Sequence, residues 1–322
     1  MRVLVTGGAG YIGSVVVAML LDAGHEVTAV DDLSTGHEDA VAPGAEFVKT
    51  SITEVGRVLD ERRYDAVMHF AARSLVGESV QYPDRYWHNN VEGTLALLDA
   101  MRVHDVPRLV FSSTAATYGE PATVPITESA ATAPTNPYGA SKLAVDLALT
   151  DYARAYGLAA VSLRYFNVAG ARLGSDVAYG ERHAVETHLI PIALQVAAGA
   201  RDALDIYGTD YPTPDGTCVR DYLHVVDLGE AHLQAMAAAV PGQHSIINLG
   251  SGSGYSVREV VEAVRRVTGR DVPVREVERR PGDPAVLIAS NARAAAELGW
   301  TPTRNLDQMV ADAWTFVQRA SS

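Results

Sequence analysis

The sequence predicts an α/β fold with a doubly wound parallel sheet and a smaller mixed α/β lobe, and three observations carry that reading. Short apolar runs alternate with helical stretches through the first half of the chain. A glycine-rich turn joins the first strand to the first helix, and several strands end in small, hydroxylic or acidic residues, where folds of this class bind ligands. At 322 residues the chain also exceeds a comfortable single-domain size, so one large domain and a lesser lobe are expected.

Arg2 to Thr6 reads as a buried parallel strand. Gly7, Gly10 and Gly13 follow with G-x-x-G-x-x-G spacing, ahead of a helix through Val15 to Leu21. Glycines there make a tight turn, let backbone approach a pyrophosphate, and allow the helix to pack on the strand with its N-terminus toward the anion. The next strand, Glu26 to Val30, ends in Asp31-Asp32. An acid at Asp31 suits the ribose 2′-hydroxyl of NAD and repels the 2′-phosphate of NADP, so the first unit reads as Rossmann-type with NAD as cofactor. The competing reading of that pair is a solvated acidic turn.

Ala66 to Phe70 is another buried strand, and Ala71-Ala72 after it are small enough for a cofactor to lie across. Asn89-Asn90 open a helix expected to run to about Val103. The strand Arg108 to Phe111 ends in Ser112-Ser113-Thr114, whose hydroxyls either face the crevice or cap the next turn. Beyond a Pro- and Thr-rich loop, Tyr138 and Lys142 share one face of a helix continuing to Tyr156. A phenol of pKa about 10 serves as a base near neutrality only if phenolate is favoured by roughly three units. A neighbouring ammonium and a second fixed cation would each supply about 1–3 units. The bland alternative is a half-buried Tyr beside a snorkelling Lys.

The formal charge of −13, with no Lys/Arg-rich block, argues against a nucleic-acid or anionic-membrane surface. Phosphate ligands must then be met by local arginines and backbone amides. Cys218 is the single cysteine, so no intramolecular disulfide forms, and a cytoplasmic location is expected. No apolar run reaches membrane-spanning length. None of the 10 histidines shows metal-ligand spacing, and no metal is expected.

Together the glycine turn, His69-Phe70-Ala71-Ala72, Ser112-Ser113-Thr114, the Tyr138/Lys142 pair and Arg164-Tyr165-Phe166-Asn167 resemble the extended short-chain dehydrogenase/reductase family. The segments Gly216 to Val225 and Arg279-Arg280-Pro281-Gly282-Asp283 are similar to its UDP-glucose 4-epimerase group. The resemblance implies reversible inversion at C4 of a UDP-hexose through a transient 4-keto sugar, with catalytic Tyr138, Lys142 and Thr114. It implies a cofactor surface of Gly7, Gly10, Tyr11, Ile12 and Gly13, then Asp31, Asp32, Ser51 and Ile52. Phe70, Ala71, Ala72, Asn90, Ser112 and Tyr165 would complete that surface. The nicotinamide of bound NAD would be the second cation beside Tyr138.

On the substrate side the resemblance implies that Asn167, His188 and Leu189 hold the sugar diphosphate and that Tyr207 lies near uracil. Arg220 and Arg280 would meet the phosphates, and Asp283 the uridine ribose. Local readings stay open for Arg220 beside Asp221, as an ion pair, and for Arg279-Arg280, as a solvated loop. Val286 occupies the expected specificity gate, where a small residue admits N-acetyl sugars. Ser51 and Ser74 replace an Asp and a Lys often found near the cofactor, which implies weaker cofactor binding. His188 stands where the family often has Asn.

The expected domains are residues 1–166 for NAD, with a return near 221–248, and 167–322 for the UDP-sugar. A homodimer joined through the helices around Glu92 to Val103 and Ser141 to Tyr156 is also implied. A 4,6-dehydratase is disfavoured, because Ala115-Ala116 follow Thr114 where that lyase needs an acid pair. Asp31 disfavours an NADP-dependent reductase, and the intact Tyr138/Lys142 pair disfavours a non-enzymatic NAD sensor. A UDP-glucuronate 4-epimerase stays open, because the sequence does not say where Arg182 lies.

Overall fold

In the computed structural model, which describes residues 1–175, 177–280 and 282–320, the apolar runs of the first half become six strands of one sheet. These are β1 (Arg2–Thr6), β2 (Glu26–Asp31), β3 (Glu46–Lys49), β4 (Ala66–His69), β5 (Arg108–Thr114) and β6 (Ala159–Tyr165). The strand His244–Leu249 adds beside β6, giving the order β3-β2-β1-β4-β5-β6 and then His244–Leu249. All neighbours run parallel. The order reverses direction at β1 and β4, and such a switch point opens a crevice at the carboxyl ends of the strands.

Burial on both faces explains the unbroken apolar composition of these strands. Val3 and Val5 enter a core with Val15, Val16 and Leu20 of the helix Tyr11–Asp22 and Leu228, Ala231 and Ala235 of the helix Val225–Ala238. Leu4 points the other way, into a core with Leu97, Leu98 and Met101 of the helix Gly93–Val103 and Val145 and Leu149 of the helix Pro137–Tyr156. A third core joins the helices Leu189–Ala197, Val257–Thr268 and Leu306–Ala320 in the second half.

Two boundaries differ from expectation by more than one residue. β5 runs on through Thr114 because Ser112, Ser113 and Thr114 pair with Leu163, Arg164 and Tyr165 of β6. The segment from Trp87 to Glu92 is a π-helical turn before the α-helix begins at Gly93.

Candidate active site

A cleft of ≈ 450 Å³ follows the carboxyl ends of β1, β2, β4, β5 and β6. On its cofactor side the glycine turn is sterically exact in its demands. Gly7 has φ +73°, and a Cβ there would lie 2.6 Å from the Ala71 nitrogen, while a Cβ on Gly13 would lie 2.0 Å from the Gly7 carbonyl oxygen. Gly10 caps the helix Tyr11–Asp22 without a side-chain bond, and the first turn holds no acid. Its amides and positive dipole end are therefore free for an anion, as a pyrophosphate requires. Tyr11, which lines the cleft with Ile12, donates its hydroxyl to the Gly170 carbonyl at 2.6 Å.

Asp31 ends β2 and accepts from the Ala9 and Leu33 amides at 3.1 and 2.8 Å. Burial raises its pKa, with those two bonds acting against the rise. Asp32 accepts from the Ser34 amide at 2.8 Å. Both carboxylates line the cleft, as do Ile52, Phe70, Ala71 and Ala72. Ser51 and Asn90 stand behind that wall. Ser51 caps the turn Ile52–Glu54. Asn90 is buried, accepting from the Arg73 amide at 2.8 Å and donating to Ser141 Oγ at 3.1 Å, and its neighbour Asn89 lines the cleft instead.

The helix Pro137–Tyr156 delivers Tyr138 and Lys142. Asn136 caps it by accepting from the Gly139 amide at 2.9 Å, Pro137 fits the first turn, and Gly157 ends it in the left-handed conformation at φ 77°. Tyr138 and Thr114 both face the cleft. Desolvation raises the Tyr138 phenol, and the Thr114 hydroxyl works against it. Thr114 also accepts from the Ala116 amide at 3.2 Å, so the capping role and the cleft-facing role coexist. Lys142 is buried and donates to the Ser112 carbonyl at 2.7 Å, with the Phe111 ring 4.7 Å from its nitrogen. Burial lowers its pKa to about 7, opposed by Asp146. The ammonium is thus engaged by the Ser112 carbonyl, and the chain alone holds the phenol up rather than down. Ser112 Oγ and the Tyr165 hydroxyl are hydrogen-bonded to each other at the same wall.

On the substrate side Asn167, His188 and Arg220 reach the cleft. His188 is the N-cap of the helix Leu189–Ala197, with no side-chain cap bond. Leu189, Tyr207, Arg280 and Asp283 lie outside the cleft wall as described. Arg220 pairs with Asp283, the residue expected to hold the ribose. Asp221, the other candidate partner, is buried and accepts from the amides of Ser251 at 2.6 Å and Ala289 at 3.0 Å. Arg280 stacks on the Tyr207 ring at 3.8 Å, while Arg279 pairs with Asp210 at 2.6 Å, so neither is simply solvated. Pro281 of that motif lies outside the described residues.

The gate position requires a correction. Val219 pairs with Val286, and Arg220 with Leu287, in parallel strands. Successive residues face opposite ways, and the face carrying Arg220 and Leu287 is the one that lines the cleft. Val286 lies on the other face.

Sequence reasoning also missed a cluster at the cleft rim. Glu181, His183, Glu186 and His188 each bring one ligand-type atom within 4.8 Å of the others. The carboxylates of Glu181 and Glu186 raise His183 to about 9 despite its burial. Burial pushes His188 down, yet the same carboxylates outweigh it and raise this group to about 10. Glutamates alternating with histidines over eight positions were the available signal, split by an intervening loop. Arg182, between them, pairs outward with Asp39 at 2.6 Å.

A glycine turn on a helix N-terminus, an acid closing β2 and a Tyr/Lys pair converging on one cleft define a dinucleotide-dependent enzyme of Rossmann type. The chain belongs to the NAD dependent epimerase/dehydratase family, whose match spans residues 3–250. It is 57% identical over 318 residues to a UDP-glucose 4-epimerase of Corynebacterium glutamicum, covering 98% of this chain and 95% of that one. A UDP-glucose 4-epimerase from Brucella ovis, solved in complex with NAD, superposes with a TM-score of 0.93 at 46% identity, covering 98% of both chains. One from Bifidobacterium longum, in complex with NAD+ and UDP, gives a TM-score of 0.93 at 37% identity, covering 100% of this chain and 99% of that one.

Proposed function

We propose that this chain is an isomerase that interconverts the C4 epimers of a UDP-hexose, of the UDP-glucose/UDP-galactose type, with NAD as cofactor. The observation that carries the reading is the convergence of Tyr138, Thr114, Asp31, the glycine turn and Arg220 on one cleft. NAD, when bound, supplies reversible oxidation and reduction at the sugar C4. The uncapped amides after Gly10 and the Asp31 carboxylate are the groups that would hold its pyrophosphate and adenosine ribose. Asp31 would exchange its internal amide bonds for the ribose hydroxyls.

Tyr138 takes the proton from the 4-hydroxyl and gives it back to that same oxygen after the keto sugar has turned its other face to the cofactor, and Thr114 holds the reacting oxygen. Lys142 is the positioning cation. Because the chain alone raises the phenol, phenolate forms efficiently only once a further positive charge is beside it, which ties the base to cofactor occupancy. Arg220 and Arg280, with Asn167, His188 and Leu189, are assigned to the diphosphate, and Tyr207 and Asp283 to the uridine. With strong contacts on UDP and few on the hexose, the keto sugar is free to turn about its link to the diphosphate. Leu287 takes the gate role first assigned to Val286.

The division into a cofactor domain, residues 1–166 with a return near 221–248, and a sugar-nucleotide lobe, 167–322, is part of the proposal. So is a homodimer. Leu95 and Val103 on one helix and Leu147 and Tyr156 on the next are 36, 64, 62 and 60% exposed, apolar surface suited to a second copy. No helix among the described residues is long and apolar enough to cross a membrane, and the single buried Cys218 fits a cytoplasmic setting. The glucuronate reading needs a cation for the C6 carboxylate, and the Arg182–Asp39 pair argues against Arg182.

The test is incubation with UDP-galactose, UDP-N-acetylglucosamine and UDP-glucuronate separately, followed by product separation. Conversion of UDP-galactose to UDP-glucose without net NADH is expected, and Tyr138→Phe should lower kcat by about 10²–10⁴-fold. Near-normal turnover in that variant defeats the assignment.

A further inference from the structure

The loop 181–188 carries two carboxylates into the rim of a cleft assigned to pyrophosphate and diphosphate groups, where negative charge is unfavourable. Their side chains are only 7% exposed, so they are not solvated surface acids. Two histidines converge on them. His183 Nδ1 lies 3.0 Å from Glu181 Oε1 and 3.6 Å from Glu186 Oε2. His188 Nδ1 lies 2.6 Å from Glu181 Oε1 and 3.2 Å from Glu186 Oε1. Yet the buried Nδ1 of His183 has no hydrogen-bond partner, so its contact with Glu181 is close without being aligned.

Two imidazoles and two carboxylates that each bring one ligand-type atom into one small volume are arranged as ligands are around a cation. With metal–ligand bonds of about 2.0–2.1 Å, tetrahedral zinc holds its donor atoms roughly 3.3 Å apart, a spacing that falls inside the 2.6 to 3.6 Å range of the nitrogen–oxygen contacts here, while all four donor atoms lie within 4.8 Å of one another. The cluster is also braced from outside. Glu186 Oε1 accepts from the Thr187 and His188 amides at 2.7 and 2.8 Å, which fixes that carboxylate. The loop is tied to the first half by the Arg182–Asp39 pair and by a 2.8 Å contact between His37 Nε2 and the Arg182 carbonyl. Outer partners of this kind orient metal ligands.

We propose that Glu181, His183, Glu186 and His188 form a binding site for a divalent zinc-class cation at the rim of the cleft. Two imidazoles with two carboxylates suit zinc over calcium or magnesium, which take all-oxygen ligand sets. The imidazoles release their protons to solvent as they ligate. The cation offsets both carboxylates and pins the segment leading into the helix Leu189–Ala197. This inference meets the epimerase reading at His188, which that reading gives to the sugar diphosphate, while the loop contains neither Tyr138 nor the glycine turn.

The experiment uses the full-length protein with its NAD, stripped with a chelator, desalted and titrated with Zn²⁺ against a chromogenic chelating dye. A parallel titration with Co²⁺ is followed by visible absorption. About one zinc per chain is expected, with intense four-coordinate cobalt bands and a zinc-dependent rise in the thermal midpoint. His183→Ala and Glu186→Gln should each weaken zinc binding roughly a hundredfold or more, since outer partners alone are worth about 10–100-fold. Weak zinc binding of equal strength in wild type and both variants overturns the proposal. So does a pale six-coordinate cobalt spectrum of the wild-type protein, a measurement that decides the matter even if a variant fails to fold. UDP-galactose turnover of the stripped protein reports separately on the epimerase reading.

Discussion

Acidification should unfold this protein through histidines that are buried in the neutral state. His69 is 1% exposed and His232 0% exposed. The Thr94 hydroxyl donates to the Asn90 carbonyl at 2.6 Å, so it accepts from His69 Nε2–H at 2.8 Å, and His69 Nδ1 accepts from the Thr6 hydroxyl at 2.6 Å. A second ring proton would force the Thr6 hydroxyl to turn from donor to acceptor. His232 donates from Nδ1 to the Leu228 carbonyl at 2.8 Å, and its Nε2, packed beside Phe70 and Tyr165, has no partner. Burial lowers His69 to about 3 and His232 to about 4.

Both folded values lie below the unfolded value of about 6.5, so the unfolded chain binds more protons and stability falls with pH below about 6.5. The loss is complete only below the folded values. Two sites give a slope of about 3 kcal/mol per pH unit, or about 4 kcal/mol lost by pH 5, against a typical total of about 5–15 kcal/mol. His244, lowered to about 4 by burial but partly open to solvent, adds less. Urea unfolding followed by circular dichroism, at half-unit steps from pH 7 to 4.5 with NAD in constant excess, measures the slope. In His232→Leu, which removes the ring with the unpartnered nitrogen, the slope should fall by about half. A flat profile over this window, or an unchanged slope in the variant, refutes the reasoning.

Other consequences are sharper at the cleft. Gly13→Ala should abolish measurable NAD binding in a fluorescence titration, because its Cβ would sit 2.0 Å from a backbone oxygen that cannot move aside. Asp31→Ser should narrow the preference for NAD over NADP by at least tenfold in the same titration, since a like charge at close range is worth about 1–3 pKa units, or about 1.4–4 kcal/mol. Leu287→Tyr should lower turnover of UDP-N-acetylglucosamine far more than that of UDP-glucose. Val286→Tyr, on the opposite strand face, should leave the ratio of the two rates nearly unchanged.

What the sequence made legible follows from local rules. The glycine turn, the both-faces-buried strands and the capped helix Pro137–Tyr156 depend on residues near one another in the chain, and the expected helix end at Tyr156 matches. Positions that depend on distant pairing were not legible. Val286 and Leu287 are both apolar, and only the register against Val219–Arg220 decides which of them meets the cleft. Arg220 looked like a partner for adjacent Asp221, but backbone geometry turns Asp221 inward to the loop at Ser251, and Arg220 finds Asp283 instead. Lys142 and Tyr138 are four apart on a helix, and what the ammonium does there is decided by the Ser112 carbonyl on a separate strand.

On the proposed assignment of Arg220 to phosphate and Asp283 to ribose, their pairing changes what substrate recognition costs. Neither group waits in solvent for its ligand, so binding of a sugar nucleotide is an exchange of partners rather than a simple neutralisation. The free enzyme then presents less positive charge than its arginines suggest, and simple anions such as inorganic phosphate gain little by entering. A ligand that offers both a phosphate and a ribose can satisfy the two released groups together. Discrimination in favour of whole nucleotides over their fragments is thereby built into a single contact of the free enzyme.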